Sequence, residues 1–260
     1  MREPGKKDEM KKIAVINQKG GVGKTTSVVN ICAGLQRLGH KVMAVDMDPQ
    51  SHLTFSLGFR GDVPSGGVYS LMKGESSLEQ TTVEAEGIAL IPSSADLAGL
   101  EVEMADRPGR EHVLKEALGN INGHDFLFMD CPPTLGLLSL NALVAADEVY
   151  IPLQAEFLAL QGLGRLLQSV RKVKERLNAP LEIGGVFATR FDRRRGLNNE
   201  VLSMLYDYFK EKLFRTVIRD NIALAEAPSY GKSIFDYRAS SHGAEDYMKL
   251  CREILKRSGS

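Results

Sequence analysis

The run Lys19-Gly20-Gly21-Val22-Gly23-Lys24-Thr25-Thr26 lies between two segments of opposite periodicity. Before it, Ile13-Ala14-Val15-Ile16 is a short apolar, β-branched stretch of the kind a buried parallel strand requires. After it, Ser27 to Leu38 carries Val28, Ile31, Cys32 and Leu35 at helical spacing. A buried strand that enters a glycine loop and leaves as a helix restricts the chain to a parallel α/β sheet. The glycines allow backbone N–H groups to close on phosphate oxygens, and the helix start adds the positive end of its dipole. The string follows G-x-x-x-x-G-K-[ST] with Lys19 near the place of the first glycine. In that pattern Lys24 reaches the β- and γ-phosphates and the Thr25 hydroxyl sits on Mg²⁺. Residues Lys19, Gly20, Gly21, Val22, Gly23, Lys24, Thr25 and Thr26 are therefore the candidate site for a nucleoside triphosphate.

The rest of the chain keeps the same rhythm. Apolar runs recur at Val42–Val45, Ile88–Ile91, Phe126–Met129, Val149–Leu153, Ile183–Ala188 and Phe214–Ile218. Helical patterns separate most of them, over Ala95–Leu118, Leu137–Ala145, Leu158–Leu177, Asn198–Lys212 and Ala244–Lys256. The expectation is an α/β fold: a doubly wound, mostly parallel sheet flanked by helices on both faces. Residues 1–10 read as a flexible tail and 11–257 as a single phosphate-loop domain. Extended surface loops are expected at Arg60–Gly67 and Arg190–Gly196.

Bulk properties exclude several classes. With 43% hydrophobic residues in 260, the chain can bury one substantial core. No apolar run has the length of a membrane span, and the first residues are too charged for a secretory signal. Cys32, Cys131 and Cys251 are far apart, which argues against disulfides, zinc or an iron–sulfur cluster and suits a reducing cytoplasm. The formal net charge of +0 conceals a division. Residues 1–150 carry 14 Lys and Arg against 20 Asp and Glu, and residues 151–260 carry 19 against 13. From charge alone, the basic half fits a nucleic-acid face and ordinary surface helices equally well.

Two further places complete the chemistry. Val42–Val45 ends in Asp46-Met47-Asp48-Pro49-Gln50, and Phe126–Met129 ends in Asp130-Cys131-Pro132-Pro133. Carboxylates past the carboxyl ends of central strands stand where open α/β sheets bind ligands. Taken with the glycine loop, they suggest a division of labour. Thr25 holds the metal with Asp130 behind it, Asp46 is a more distant partner of the same ion, and Asp48 orients the attacking water. Lys19, Lys24 and Asp48 are the candidate catalytic residues.

At this point the sequence resembles the ParA/Soj partition ATPases, cousins of the MinD division-site ATPases. The resemblance rests on the deviant loop with Lys19, on Asp46–Gln50 and on Asp130–Pro133. It extends to Pro92–Gly99, Ile151–Leu163 and Glu226-Ala227-Pro228-Ser229-Tyr230-Gly231-Lys232, and covers about residues 11–256. It implies a Mg²⁺-dependent ATPase that closes as a homodimer around two ATP molecules. It also implies that Lys19 reaches the partner's phosphates and that adenine is held by Ala227, Pro228 and the loop after Val186–Thr189. Glu156 resembles a family residue near the interface, while a helix-start glutamate explains it as well.

The family grips double-stranded DNA without sequence preference, is stimulated by a ParB-like partner and is nucleoid-associated in the bacterial cytoplasm. Here the sequence departs. A family segment reading roughly I-P-R-N-V-R-L-S-E-A-P-S is Ile218-Arg219-Asp220-Asn221-Ile222-Ala223-Leu224-Ala225-Glu226-Ala227-Pro228-Ser229. Arg219 stands for the proline, and Asp220 and Ala223 for two arginines. Arg193, Arg194, Arg195 and Arg219 are then the candidate DNA contacts, with a solvated loop as the other reading of Arg193–Arg195. The stripe Tyr247, Leu250, Cys251, Ile254 and Leu255 is what docking on the sheet requires, so no membrane contact is expected. Two alternatives stay open: an orphan relative that positions a protein cargo, and an ATP-gated binding module with little hydrolysis.

Overall fold

The computed structural model describes residues 10–119 and 121–259. The β-branched runs form β1 (Lys11–Val15), β2 (Val42–Asp46), β3 (Val83–Ala85), β4 (Ile88–Ile91), β5 (Phe126–Asp130), β6 (Glu148–Gln154) and β7 (Glu182–Thr189). They make one seven-stranded sheet in the order β3-β4-β2-β5-β1-β6-β7, parallel except for the β3–β4 pair. Along β1, Ala14 and Ile16 face one hydrophobic cluster, and Ile13 and Val15 face the other. Both sheet faces are covered, which is why the strands read as continuous apolar runs.

The connections are helical: α1 (Lys24–Arg37), α2 (His52–Ser56), α3 (Gly67–Lys73), α4 (Leu78–Thr81), α5 (Leu100–Glu103) and α6 (Val113–Leu118). There follow α7 (Leu137–Ala145), α8 (Phe157–Arg176), α9 (Gly196–Phe209), α10 (Ile222–Glu226), α11 (Ile234–Tyr237) and α12 (His242–Ser258). One face of the sheet packs against residues of α3 and α6 to α9; the other packs against α1, α2 and α10 to α12. In α12, Tyr247, Leu250, Cys251 and Ile254 are at most 1% exposed, so its apolar stripe is the packing face.

Three elements differ from the expectation, each for a physical reason. The span Ala95–Leu118 is not one helix. It is a short 3₁₀ turn over Ala95–Gly99, then α5 and α6, broken where Arg107-Pro108-Gly109 removes a donor and admits a left-handed glycine at φ 71°. The run Phe214–Ile218 is not a strand. Phe214 and Ile218 donate to Val186 and Ala188 of β7, but between them the Arg215 and Thr216 N–H groups turn to the Glu253 carboxylate. The antiparallel β3 has no counterpart among the expected strands; a two-residue turn, Glu86-Gly87 with φ 51° and 73°, folds it onto β4. Of the expected tail, residues 1–9 lie outside the described residues, whereas Met10 is buried in the core.

Gly185 in β7 shows how tightly this edge is filled. A Cβ there would overlap the ring of Phe214, itself 1% exposed and set edge-on to Tyr150 and Phe187. Overpacking of a filled core costs about 1–3 kcal/mol. Gly185→Ala should therefore lower the denaturant midpoint by that free energy divided by the denaturant slope, with the slope itself unchanged.

Candidate nucleotide site

The site is built where β1, β2 and β5 end. Register pairs Val15 with Asp130 and Asp46 with Asp130, so the last residue of β5 stands between the other two strand ends. This is the crevice at the carboxyl edge in which parallel sheets receive ligands. From β1 the chain enters the glycine loop, with Gly21 and Gly23 at φ 72° and 85°, and then α1. Those dihedrals suit glycine, and among the described residues no atom beyond the chain neighbours lies within 4 Å of a Cβ at Gly20 or Gly21. The loop is thus open on the side where a ligand would approach.

Neighbouring strand ends hold the loop by its carbonyls. Gln154, the last residue of β6, donates its side-chain amide to the Gly21 carbonyl at 3.1 Å, and Thr189, the last of β7, donates its hydroxyl to the Val22 carbonyl at 2.8 Å. Asn17 accepts from the Lys19 N–H at 3.0 Å and donates to the Pro152 carbonyl at 2.8 Å. The Ser27 N–H closes the first turn of α1 on the Gly23 carbonyl at 2.9 Å, so the N–H groups before it have no carbonyl of the helix to bond and face the loop.

Thr25 donates its hydroxyl to Asp130 Oδ2 at 2.6 Å. Asp130 is wholly buried, and its other oxygen, Oδ1, has no hydrogen-bond partner among the described residues. Burial, and next the neighbouring Asp46 carboxylate, push the Asp130 acid group well above the usual carboxylate range; Thr25 and Lys24 oppose them. Lys24 is 8% exposed, and its ammonium makes no salt bridge among the described residues. An orphaned buried carboxylate oxygen, a hydroxyl beside it, an uncommitted lysine and an open glycine loop fit a magnesium-bound polyphosphate. The residues that would hold it are Gly20–Thr26 for the phosphates, Thr25 for the metal and Asp130 behind Thr25.

Asp46 is used differently from Asp130. It is fully buried and accepts the Thr54 N–H at 2.8 Å, the Thr54 hydroxyl at 2.7 Å and the Asp48 N–H at 3.2 Å. Burial raises its pKa to about 6 against these hydrogen bonds. Its oxygens are occupied by the loop that carries Asp48, so Asp46 fixes that loop between β2 and α2. Asp48 Oδ1 accepts from the Gln50 N–H at 3.0 Å, and the residue is 8% exposed beside the crevice.

Lys19 lies at the outer rim, its ammonium 2.6 Å from Glu156 Oε2, with both side chains about half exposed at 41% and 52%. Ala227 is buried at the start of the turn Ala227–Tyr230 that follows α10, and Pro228 is its second residue. The expected DNA contacts divide. Arg193, Arg194 and Arg195 are exposed before α9. Arg194 is hydrogen-bonded to Asp192, Arg195 is 3.7 Å from it, and Arg193 has no ion-pair partner among the described residues. Arg219 instead folds onto α12, with its guanidinium on Asp246 and Glu245. Sequence reasoning did not single out Gln154, Thr189, Asn17 and Thr54. Gln154 and Thr189 carried a legible signal, a polar residue closing an apolar strand; Asn17 and Thr54 did not.

These features define a nucleotide-binding protein of the phosphate-loop type. The family model described as AAA domain matches residues 10–183. The chain is 44% identical over 252 residues to the chromosome-partitioning ATPase Soj of Treponema pallidum, covering 96% of this chain and 98% of that one. It is 43% identical over 247 residues to the sporulation initiation inhibitor protein Soj of Bacillus subtilis, covering 93% and 97%. Among solved structures, the Mycobacterium smegmatis cobyrinic acid a,c-diamide synthase with bound ADP and magnesium superposes with a TM-score of 0.85 at 35% identity, over 96% of each chain. The chain belongs to the ParA/Soj family of partition ATPases.

The Thr54 hydroxyl is a test of the loop. It donates to Asp46 and accepts the Ser93 N–H at 3.1 Å, so Thr54→Val leaves two buried polar groups short of a partner. The expected cost is about 1–3 kcal/mol, read from the denaturant midpoint.

Proposed function

We propose that this chain is an ATPase whose ATP-bound dimer holds DNA without sequence preference and moves it with a stimulating ParB-like partner. One observation carries the reading: the Thr25 hydroxyl rests on a buried Asp130 with a free oxygen, beneath an open glycine loop and a Lys24 unpaired among the described residues. The ADP and magnesium of the solved relative, and the partition roles in the names of the Soj proteins, support it. Magnesium, when bound, would be held by Thr25 with Asp130 behind it and would supply positive charge to the phosphates. Lys24 neutralises the same phosphates, and the loop N–H groups fix their position. Asp48 has one oxygen not engaged by Gln50 and orients the attacking water. Lys19, exposed at the rim, serves the facing subunit, which makes closure depend on the triphosphate. Slow turnover then times attachment, and the protein acts on the nucleoid in the bacterial cytoplasm without membrane contact.

The DNA face of this reading is the loop before α9. Arg193 is uncommitted there among the described residues, and Arg194 and Arg195 share the single carboxylate of Asp192. A second reading, the positioning of a protein cargo, is favoured by Asp220 and Ala223, which stand in place of two family arginines. Both readings share the same nucleotide switch.

Asp48→Ala should bind ATP with wild-type affinity and dimerise, yet lose hydrolysis; normal turnover by this variant would remove Asp48 from the mechanism. With hydrolysis blocked in this way, random-sequence duplex DNA should bind in ATP but not in ADP, and more weakly as salt rises. Adding Arg193→Ala should lower the slope of log affinity against log salt by about one per contributing subunit. DNA binding that is absent at low salt, with the dimer confirmed, would favour a protein cargo.

A further inference from the structure

Arg219 and Asp220 are adjacent residues of opposite charge, and each is drawn to a different element. The Arg219 guanidinium makes a forked contact with Asp246 of α12, Nη2 to Oδ1 at 2.6 Å and Nε to Oδ2 at 2.8 Å, and its Nη2 also donates to Glu245 Oε2 at 2.6 Å. Its backbone N–H donates to the same Asp246 at 3.0 Å. The Asp246 side chain is 5% exposed and that of Arg219 29%, so the pair is buried on the carboxylate side and partly exposed on the guanidinium side. Lys249 and Arg219 together hold the Glu245 acid group down at about 2. Asp220 turns the other way, 3.7 Å from the Arg190 guanidinium, while its N–H donates to the Phe191 carbonyl at 3.2 Å. Arg190 begins the loop after β7 at φ 48°, a conformation uncommon for a residue with a side chain.

Both elements joined here border the phosphate loop. Thr189, next to Arg190, holds the Val22 carbonyl. Beyond Asp220, Asn221 caps α10 by accepting the Ala223 N–H, and α10 leads to Ala227–Tyr230 and Ser233. The Ile234 N–H then donates to Asn30, whose amide donates to the Thr26 carbonyl at 2.7 Å. Both segments are thus tied by hydrogen bonds to the phosphate loop and the first turn of α1, one through Thr189 and the other through Asn30. The α12 anchor returns to the same place, because Tyr247, beside Asp246, is hydrogen-bonded to Ser27 at 3.0 Å. Leu224 of α10 also packs so closely on Gly243 that a Cβ there would lie 2.8 Å from its Cγ.

We propose that Arg219 and Asp220 form an electrostatic brace that positions the two segments closing on the nucleoside end of the bound nucleotide, and that neither residue contacts DNA. Charge supports the second part. Arg219 is neutralised by two carboxylates, and Asp220 presents a negative charge that repels phosphate. The proposal rests on the nucleotide reading above and assigns Arg219 a positioning role within it.

The test compares ATP with inorganic tripolyphosphate as probes of the full-length protein, in wild type and in Arg219→Gln. The expected result is about a tenfold loss of ATP affinity with tripolyphosphate affinity unchanged, because only the nucleoside end meets the braced segments. Asp246→Asn should give the same pattern, and the double variant should lose no more than either single one. If Arg219→Gln does not fold, Asp220→Asn, which breaks the exposed arm, should weaken ATP but not tripolyphosphate. Unchanged ATP affinity, or equal loss for both probes, would overturn the brace. So would a lower DNA salt slope for Arg219→Gln at saturating ATP. Wild-type protein that binds neither probe would instead remove the nucleotide reading itself.

Discussion

Two carboxylates, Asp46 and Asp130, stand side by side at the ends of β2 and β5 with no exposed surface. Burial pushes both acid groups upward, with Asp46 adding to the rise at Asp130 and Asp48 adding to the rise at Asp46. The two strand ends relieve this in different ways. Asp46 is satisfied internally by Thr54 and the Asp48 N–H, and the turn from Asp48 to α2 is fixed as a result. Asp130 has only Thr25 among the described residues, and one of its oxygens is left for something the chain does not supply. The asymmetry between two chemically identical residues gives the site its direction, with a carboxylate satisfied on the β2 side and one left with an unpartnered oxygen, among the described residues, beside Thr25.

Around that pair, the glycine loop is held from outside and not by its own sequence. Gln154 and Thr189 bond its carbonyls from β6 and β7, which orients the loop while leaving its glycines open. Elements distant in the sequence are connected through the loop: α12 to α1 through Tyr247 and Ser27, and the α10–α11 segment to α1 through Asn30. Rearrangement at the phosphates has these routes available to reach the basic, C-terminal half of the chain.

Much of this was legible in the residues. Alternation of β-branched runs with helical patterns pointed to the parallel sheet, because strands buried on both faces must be apolar throughout. The candidate residues were legible from position: Asp48 and Asp130 stand at or just past strand ends, and Lys24 and Thr25 open the helix that follows the glycine loop. Local pattern misleads where it competes with tertiary partners. Phe214–Ile218 has a strand's composition, yet Glu253 captures two of its N–H groups. Arg219 belongs to a plausible basic cluster by charge, and only the packing of α12 shows its guanidinium committed to Asp246.

The sequence alone determined the class of fold and picked out the candidate residues of a phosphate site, since periodicity and glycine spacing are local properties that survive without knowledge of contacts. Tertiary structure decided which charges are available. Asp46 and Asp130 look equivalent in the chain but differ in their hydrogen-bond partners, and Arg193 and Arg219 look equivalent but differ in burial. Those differences arise from residues far apart in sequence, such as Thr25 and Asp130 or Arg219 and Asp246, that only folding brings within 3 Å of each other.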